Sequence, residues 1–321
     1  MSKFKCLITD FQGNNCSYEV NELQKHGIDV VIADSKEKID WIEYVNDVDA
    51  VLTRHAIFDN SVIQLMDRCK IISRYGTGYD NIDIKSSTIH NIVVTYVNDY
   101  CADEVAEHTF SLLMYSVRNL SIFFDSVVNG DWTPSTLPPV ERLNGKELTI
   151  VGYGKIGKKV AKIAIALGLK VRVYDPFISN ENLTGVTQFD TVEKALEGTD
   201  IVTLHLPLTP DTRHILNKKR MNLISKGGIL INVSRGGLID IDAAIKLLDI
   251  EHLNSLVLDV LEREPPDKND VVRSHPKIIL TPHVGYYSQE SVRVSKEICV
   301  RNIINVLNSE KPVGPVAKQI I

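Results

Sequence analysis

Short apolar runs alternate with amphipathic stretches along the first hundred residues. The runs have the length and β-branched composition of buried strands, while residues 20–26 and 60–69 repeat their apolar positions at helical spacing. The predicted strands are residues 6–9, 30–33, 50–53, 71–73 and 92–96. Strands that alternate with helices in this way predict βαβ units and a mostly parallel sheet.

Two longer helical patterns follow. Residues 103–129 keep apolar positions at helical spacing without an internal proline or glycine, which predicts one unusually long helix. Breaks that contain proline come next, at 131–134 and 137–139, and a second series of strands and helices begins near residue 143. The last helix is predicted over 288–308.

Two α/β series followed by a long terminal helix fit two domains, one inserted in the other. We predict an α/β protein with two doubly wound domains, each built on a parallel sheet. The first comprises residues 1–100 plus 290–321, and the second comprises residues 101–289.

Composition excludes several classes of protein. The 321 residues are 44% hydrophobic and 24% charged, which suits ordinary globular cores, and the formal charge of −5 gives no general attraction to nucleic acid or anionic membranes. Five cysteines without CxxC spacing suggest a reduced, cytoplasmic protein with no metal site. No apolar run approaches the roughly 18 residues that cross a bilayer, and the polar N-terminus does not fit a signal peptide.

A glycine-rich turn opens the second series. The strand pattern at 147–151 leads into Gly152-Tyr153-Gly154-Lys155-Ile156-Gly157, and a helical pattern follows at 158–167. The next strand, 170–174, ends in Asp175, about 20 residues after the turn. A G-x-G-x-x-G turn between strand and helix, with an acid at this distance, predicts a dinucleotide site.

These residue types have physical tasks at such a site. Gly152 permits the tight turn, Gly154 lets a pyrophosphate approach the backbone, and Gly157 lets helix and strand pack closely. Free N–H groups at the helix N-terminus favour phosphate. Asp175 would accept hydrogen bonds from ribose hydroxyls and repel a 2′-phosphate, which favours NAD over NADP.

Four later strands end in loops that carry polar residues. The strands and loop residues are 201–204 with His205, 229–233 with Arg235, 256–258 with Asp259, and 278–280 with His283. Because the carboxyl ends of parallel strands face one crevice in a doubly wound sheet, we expect these side chains to converge.

Reducing a 2-keto acid needs a cation for the carboxylate and carbonyl oxygen, and a proton donor for the alkoxide. Arg235 offers a planar charged fork that suits a carboxylate. His283 can deliver a proton near neutral pH, and Glu264 is a candidate for the carboxylate that orients its ring. Spacing alone leaves Glu262 as plausible as Glu264, and leaves His205 open as the acid.

Together, five segments resemble the signatures of the D-isomer-specific 2-hydroxyacid dehydrogenase family, in that family's order. They are residues 152–157, 205–209, 231–237, 258–265 and 281–285. The resemblance implies that Arg235 binds substrate, that Glu264 partners the histidine and that His283 is the acid/base. It also implies a Rossmann NAD-binding domain inserted in a flavodoxin-like substrate-binding domain, a small D-2-hydroxy or 2-keto acid as substrate, and a homodimer formed through the NAD-binding domains.

The same resemblance implies two sets of binding residues. The cofactor set is Gly152, Tyr153, Gly154, Lys155, Ile156, Gly157, Asp175, His205, Pro207, Thr212, Val233, Ser234, Arg235, Asp259, His283 and Gly285. The substrate set is Tyr75, Gly76, Thr77, Gly78, Arg235, His283 and Tyr286. In residues 74–83, which look like the family's substrate loop, backbone N–H groups of Thr77 and Gly78 would hold the substrate carboxylate opposite Arg235.

Two pairs of alternatives remain. For the substrate, Arg54 would suit a phosphorylated compound, whereas a tyrosine-lined pocket would suit an apolar side chain. Its tyrosines would be Tyr75, Tyr79, Tyr100 and Tyr286. For the function, the chain looks nearest to the phosphoglycerate-dehydrogenase-like and C-terminal-binding-protein-like branches of the family. The leading hypothesis is an NAD-dependent D-2-hydroxyacid dehydrogenase, and the alternative is an NAD(H)-sensing, corepressor-like protein-binding module.

Overall fold

The structure is a computed structural model that describes residues 3–11, 15–133, 137–178 and 183–315. Its contacts divide the chain into two compact units. The first takes Met1–Tyr100 and Tyr287–Ile321, and the second takes Cys101–Tyr286. The second boundary thus falls after residue 286, close to the predicted boundary after residue 289.

The described elements alternate in type along most of the chain. In chain order they are β1 (Phe4–Ile8), α1 (Ser17–Lys25), β2 (Ile28–Ile32), β3 (Ala50–Thr53), α2 (Asn60–Ile63), β4 (Ile71–Arg74), α3 (Ile84–Ile89), β5 (Val93–Tyr96), α4 (Ala102–Val117), α5 (Leu120–Val128), β6 (Glu147–Val151), α6 (Lys155–Ala166), β7 (Lys170–Tyr174), β8 (Val186–Gln188), α7 (Val192–Leu196), β9 (Ile201–Leu204), α8 (Lys218–Met221), β10 (Gly228–Asn232), α9 (Ile241–Asp249), β11 (Leu253–Leu258), β12 (Ile278–Leu280) and α10 (Gln289–Leu307).

The first unit is built on a parallel sheet in the order β2-β1-β3-β4-β5. This is the strand order of flavodoxin-like folds, as the sequence predicted. One apolar cluster includes Trp41 stacked on Phe58, with ring centroids 5.0 Å apart. Another includes Cys299 and Ile303 of α10, so the returning helix completes the core of this unit.

The second unit holds a seven-stranded parallel sheet in the order β12-β11-β10-β9-β6-β7-β8. The order reverses between β6 and β9, and ligands of such sheets bind at the carboxyl ends of the strands beside this switch point. Both β6 and β9 are buried along nearly their whole length, as expected for central strands covered on two faces. The predicted dinucleotide fold is confirmed.

Two predicted helices are wrong in extent. The helix over 103–129 is two helices, α4 and α5, because Asn119 adopts a left-handed conformation with φ 48° between them. Asparagine tolerates this conformation, and a break of so few residues leaves the apolar spacing almost unchanged. The helix over 60–69 ends at Ile63, and hydrogen bonds to the third residue back continue the turns to Cys69.

The terminal helix is confirmed, since α10 begins after Ser288 and ends before Asn308. Ser288 accepts a hydrogen bond from the Ser291 N–H, and the Ser291 side chain accepts one in return, which makes a capping box. Pro134, part of the predicted break after α5, lies outside the described residues. Within the described ranges, no helix combines the length and apolarity needed to span a bilayer.

Candidate active site

The glycine turn forms a cradle at the end of β6. Gly152 has φ +94°, and a Cβ there would lie 2.4 Å from the carbonyl oxygen of His205, so only glycine fits. Gly154 caps α6, and a Cβ built on it would meet nothing within 4 Å. The backbone at the N-terminus of α6 therefore borders open space, as a bound pyrophosphate requires.

Asp175 lies beside this turn, immediately after β7. Its Oδ2 accepts the N–H of Tyr153 at 2.8 Å, and its Oδ1 accepts the N–H of Phe177 at 2.9 Å. The carboxylate is held against the glycine turn, and its oxygens keep lone pairs for further donors. Turn, helix N-terminus and acid together fit a dinucleotide, so the residues present agree with the cofactor that the sequence predicted.

The other residues of the implied cofactor set lie at the same edge of the sheet. Lys155 and Ile156 form the first turn of α6. Thr212 donates its hydroxyl to the carbonyl of Pro207 at 2.7 Å, which closes the loop after β9. Val233 is buried directly after β10.

His205 is buried and uncharged. Its Nε2 lies 2.9 Å from the Thr203 hydroxyl, and its Nδ1 has no hydrogen-bond partner in the described part of the chain. Burial lowers the pKa of His205 to about 3, because the charged form is poorly solvated there. A histidine that stays neutral near pH 7 is a poor proton donor, so the structure disfavours His205 as the acid.

His283 and Glu264 form a hydrogen-bonded pair. The His283 Nδ1 lies 2.7 Å from Glu264 Oε2, and Glu264 Oε1 accepts the N–H of Leu261 at 2.8 Å. Burial raises the pKa of the Glu264 carboxyl, but the hydrogen bond to His283, a backbone N–H and the charge of Arg235 together hold that pKa below its usual value. An ionised Glu264 fixes a proton on Nδ1 and leaves Nε2 for another partner.

The structure also decides between the two glutamates. Glu262 forms an ion pair with Arg213 and lies 3.9 Å from the Nε2 of His214. It therefore takes part in a surface cluster, and Glu264 is the acid that meets His283.

Arg235 belongs to the same group of side chains, since its charge acts on Glu264. Its backbone carbonyl accepts the Asn232 side chain at 2.8 Å, and the neighbouring Ser234 donates to the carbonyl of Leu204 at 2.7 Å. A Cβ on Gly236 would lie 2.0 Å from the backbone of Leu261, so glycine lets the two loops touch. This contact brings the arginine loop beside the glutamate loop.

The loop of His283 is held by a buried carboxylate. Asp259 is 2% exposed and accepts the N–H groups of Val284 at 2.9 Å and Gly285 at 2.8 Å. Its backbone carbonyl accepts the N–H of His283 at 2.8 Å. Burial raises the pKa of the Asp259 carboxyl, but hydrogen bonds from two side chains and two N–H groups outweigh it and keep the pKa below normal. Asp259 therefore shapes the loop, a role that the sequence did not suggest.

His108 is a further residue that the sequence analysis missed. Its Nε2 lies 3.1 Å from the hydroxyl of Thr281 and 3.4 Å from Asp259. The available signal was a histidine among the buried positions of α4, which include Val105 and Leu112. Such a signal does not identify a partner, because the partners lie more than 150 residues away.

The candidate substrate loop of the first unit is ordered by its own backbone. Gly76 has φ +86°, and its carbonyl accepts the N–H of Val97 at 3.0 Å. The Thr77 hydroxyl donates to the same residue at 3.3 Å. Within the described ranges, the N–H groups of Thr77 and Gly78 donate to no protein acceptor. They remain available to an anion.

The structure contradicts the predicted role of the Tyr75 side chain in a substrate pocket. Its ring is 1% exposed and its hydroxyl donates to Glu19 at 2.7 Å, so it cannot line a substrate pocket. Glu19 is itself buried and pairs with Lys296 at 3.3 Å. Tyr79 packs on Tyr96 with ring centroids 5.3 Å apart. The side chain of Tyr75 thus belongs to the core, and only its backbone lies in the loop.

Tyr286 and Arg54, two further residues of the predicted site, each make a contact that the structure defines. The ring of Tyr286 meets that of His283 edge-on, with centroids 6.5 Å apart. The N–H of Arg54 donates to Asp10 at 3.0 Å, which fixes the start of its loop. Among the residues that the structure describes, no group of three His, Cys, Asp or Glu side chains is arranged to hold a metal ion.

Comparison with known proteins agrees with this geometry. Residues 110–285 match the NAD binding domain of the D-isomer specific 2-hydroxyacid dehydrogenases. The chain is 35% identical over 302 residues to D-3-phosphoglycerate dehydrogenase of Bacillus subtilis (92% of this chain, 56% of that protein). It is 31% identical over 313 residues to glyoxylate reductase of Thermofilum pendens (92% of this chain, 91% of that protein). The chain thus spans about half the length of the phosphoglycerate dehydrogenases it matches.

A solved structure agrees as well. The pyruvate reductase of Chlamydomonas reinhardtii superposes with a TM-score of 0.81 at 28% identity, covering 97% of this chain and 98% of that one. These relatives are dehydrogenases and reductases, and they give no support to the corepressor-like alternative. With its glycine turn, the acid after β7 and these matches, the chain belongs to the D-isomer specific 2-hydroxyacid dehydrogenase family, on its phosphoglycerate-dehydrogenase-like branch, and carries that family's NAD-binding domain.

Proposed function

We propose that this chain is an NAD-dependent oxidoreductase that interconverts a small D-2-hydroxy acid and its 2-keto acid. The observation that carries the proposal is the 2.7 Å pair of His283 and Glu264, with the loop of Arg235 packed against the backbone of the glutamate loop. These three side chains share one unit with a glycine turn and acid that fit a dinucleotide. A bound NADH supplies the hydride, and NAD⁺ accepts it in the reverse direction.

Each side chain has a task in the reduction. Glu264 keeps a proton on His283 Nδ1 and orients the ring, so that Nε2 is the nitrogen that exchanges a proton with the carbonyl oxygen. Arg235 binds the carboxylate and polarises the carbonyl. As C2 gains the hydride, its oxygen takes the Nε2 proton, and the 2-keto acid becomes the 2-hydroxy acid with neutral His283 left behind. Oxidation uses the same groups in reverse, with His283 as the base.

In the first unit, we propose that the N–H groups of Thr77 and Gly78 bind an anion. Their lack of protein acceptors supports this role. Backbone N–H groups bind anions without a cationic side chain. The burial of Tyr75 removes one support for an apolar substrate pocket.

The experiment that tests the function is the rate of NADH oxidation by purified protein with a series of 2-keto acids. The series includes glyoxylate, pyruvate, hydroxypyruvate, phosphohydroxypyruvate and bulky apolar analogues. We expect turnover of at least one. Turnover of phosphohydroxypyruvate alone would favour a phosphate site that includes Arg54. A failure of every compound, with NADH still bound, would contradict the proposal.

Asp175→Ala tests the proposed preference for NAD. We expect the ratio of the NADPH to the NADH dissociation constant to fall at least about tenfold, because the variant loses hydrogen bonds to the ribose and the repulsion of a 2′-phosphate. Fluorescence titration with each nucleotide measures both constants. Asp190→Ala is the control, since Asp190 is a surface carboxylate of the same unit that pairs with Lys194 at 3.5 Å. An unchanged ratio would assign the ribose hydroxyls to another residue.

We further propose that the protein forms a homodimer through its NAD-binding domains. The support is α5, in which no residue is buried although it is largely apolar. Its Phe124 and Val128 are 64% and 85% exposed, and the nearby Trp132 is 83% exposed. An apolar patch of this kind on a folded unit marks a contact surface.

Introducing charge on this surface tests the dimer. We expect the double variant Phe124→Asp with Val128→Asp to be monomeric, because two carboxylates would be buried in an apolar interface. Light scattering after size-exclusion chromatography measures the mass. Ile39→Asp is the control, since Ile39 is an 81% exposed apolar residue of the first unit. Equal masses for the double variant and the unmodified protein would overturn this interface.

We also propose that the protein is cytoplasmic. This location is supported by the five cysteines, which are all free and buried, a pattern typical of reducing compartments.

A further inference from the structure

His108 joins a chain of hydrogen bonds that ends at the loop of the catalytic pair. The Thr281 hydroxyl donates to Asp259 Oδ1 at 2.5 Å, so its oxygen is left to accept the Nε2–H of His108 at 3.1 Å. The same Nε2 lies 3.4 Å from Asp259 Oδ1. His108 therefore donates to Thr281, Thr281 donates to the buried carboxylate of Asp259, and His108 carries its proton on Nε2.

Asp259, which ends this chain of hydrogen bonds, also holds the backbone around His283. Asp259 accepts the N–H groups of the two residues that follow His283, and its carbonyl accepts the N–H of His283 itself. Gly285 packs tightly between Asp259 and His108. A Cβ on it would lie 2.9 Å from Asp259 Oδ2 and 3.2 Å from His108 Cδ2. The ring of His108 thus touches the loop as well as the carboxylate that holds it.

This segment needs such restraints for two reasons. His283 has φ +55°, a left-handed conformation that costs a non-glycine residue free energy and persists only when its surroundings impose it. The loop also lies at the end of the second unit, whose last residue is Tyr286. No later strand of this unit can therefore hold the loop in place. The loop is held instead by Asp259 and by His108 of α4.

We propose that His108 is a positioning residue, which holds the loop of His283 in its left-handed conformation through Thr281 and Asp259. It does not touch the substrate in this role. The inference rests on the proposed function for its catalytic consequence, but its structural part concerns the loop alone. A 1 Å displacement of a catalytic group lowers rates by up to about 10²-fold, so loosening this loop weakens proton transfer while leaving the cofactor turn in place.

Two replacements of His108 separate positioning from packing. His108→Leu keeps an apolar side chain on α4 but removes the donor, and His108→Gln returns an N–H donor at similar reach. We expect the leucine variant to lose about tenfold or more in kcat, with an NADH dissociation constant within about twofold of the unmodified protein. The glutamine variant should recover most of the lost rate. His275→Ala is the control, since His275 pairs with Asp249 at 3.3 Å away from this loop.

Hydrogen exchange supplies a measurement that does not need turnover. In the leucine variant, the amides of Val284 and Gly285 should exchange about tenfold faster, the effect of about one lost hydrogen bond. Amides of β6 serve as the internal reference. Unchanged exchange in the leucine variant would overturn the inference, as would equal losses of rate in the leucine and glutamine variants. If the unmodified protein turns over no 2-keto acid, the proposed function fails, and exchange still decides the role of His108.

Discussion

Replacing His283 with alanine should lower kcat by about 10³-fold, within the range that a positioned acid or base contributes. The imidazole is the group that Glu264 orients through the 2.7 Å hydrogen bond to Nδ1, and alanine offers no group that could replace it in proton transfer. NADH should bind nearly as before, because the glycine turn, Asp175 and most other residues of the implied cofactor set are unchanged. Steady-state rates with the best 2-keto acid and fluorescence titration of NADH measure the two quantities separately.

His275→Ala again serves as the matched control, since it removes a histidine from the same unit without touching the catalytic loop. A parallel loss of rate and NADH affinity in His283→Ala would contradict the assigned role. It would show that the imidazole, or the loop it stabilises, is needed to hold the cofactor.

Arg235→Gln should lower kcat/KM on the order of 10²- to 10³-fold, the effect of losing one donor to a developing oxyanion. Glutamine keeps a polar group but loses the charge and the paired N–H fork. Because Arg235 is proposed to bind the substrate carboxylate as well, we expect KM for the 2-keto acid to rise while kcat falls. Initial rates over a range of keto acid concentrations, at saturating NADH, separate these effects.

Arg213→Gln is the matched control. Arg213 is a half-exposed arginine of the same unit, paired with Glu262 at the surface. Its replacement should leave kcat/KM within about twofold, since an exposed ion pair contributes about 1 kcal/mol or less. Similar losses in the two variants would point to a general change of charge and not to a specific contact of Arg235.

The sequence was sufficient to predict the dinucleotide-binding fold and its glycine turn. Gly152 and Gly154, the strand before them and the acid after β7 are local in the chain, and their spacing follows from the geometry of one βαβ unit. The alternation of strands and helices likewise predicted two parallel sheets, since each element carries its own periodicity. The sequence failed to predict a break in a helix where a single residue causes it, as Asn119 does between α4 and α5.

The choice among the candidate catalytic residues depended on tertiary structure. Sequence spacing made Glu262 and Glu264 equivalent, but the fold turns one toward Arg213 and the other toward His283. It left His205 open as an acid, whereas burial keeps that ring neutral. Which face of a loop or strand meets a partner depends on contacts between segments distant in the chain, and periodicity carries no information about them.

The sequence by itself thus determined the fold class, the dinucleotide turn and the chemical types of the candidate residues, because short-range geometry dictates each of them. Only the tertiary structure decided which acid orients His283, that the ring of Tyr75 belongs to the core, and that His108 reaches Asp259. Those outcomes follow from burial and from hydrogen bonds between residues far apart in the chain, which exist only once the parallel strands have brought their ends together.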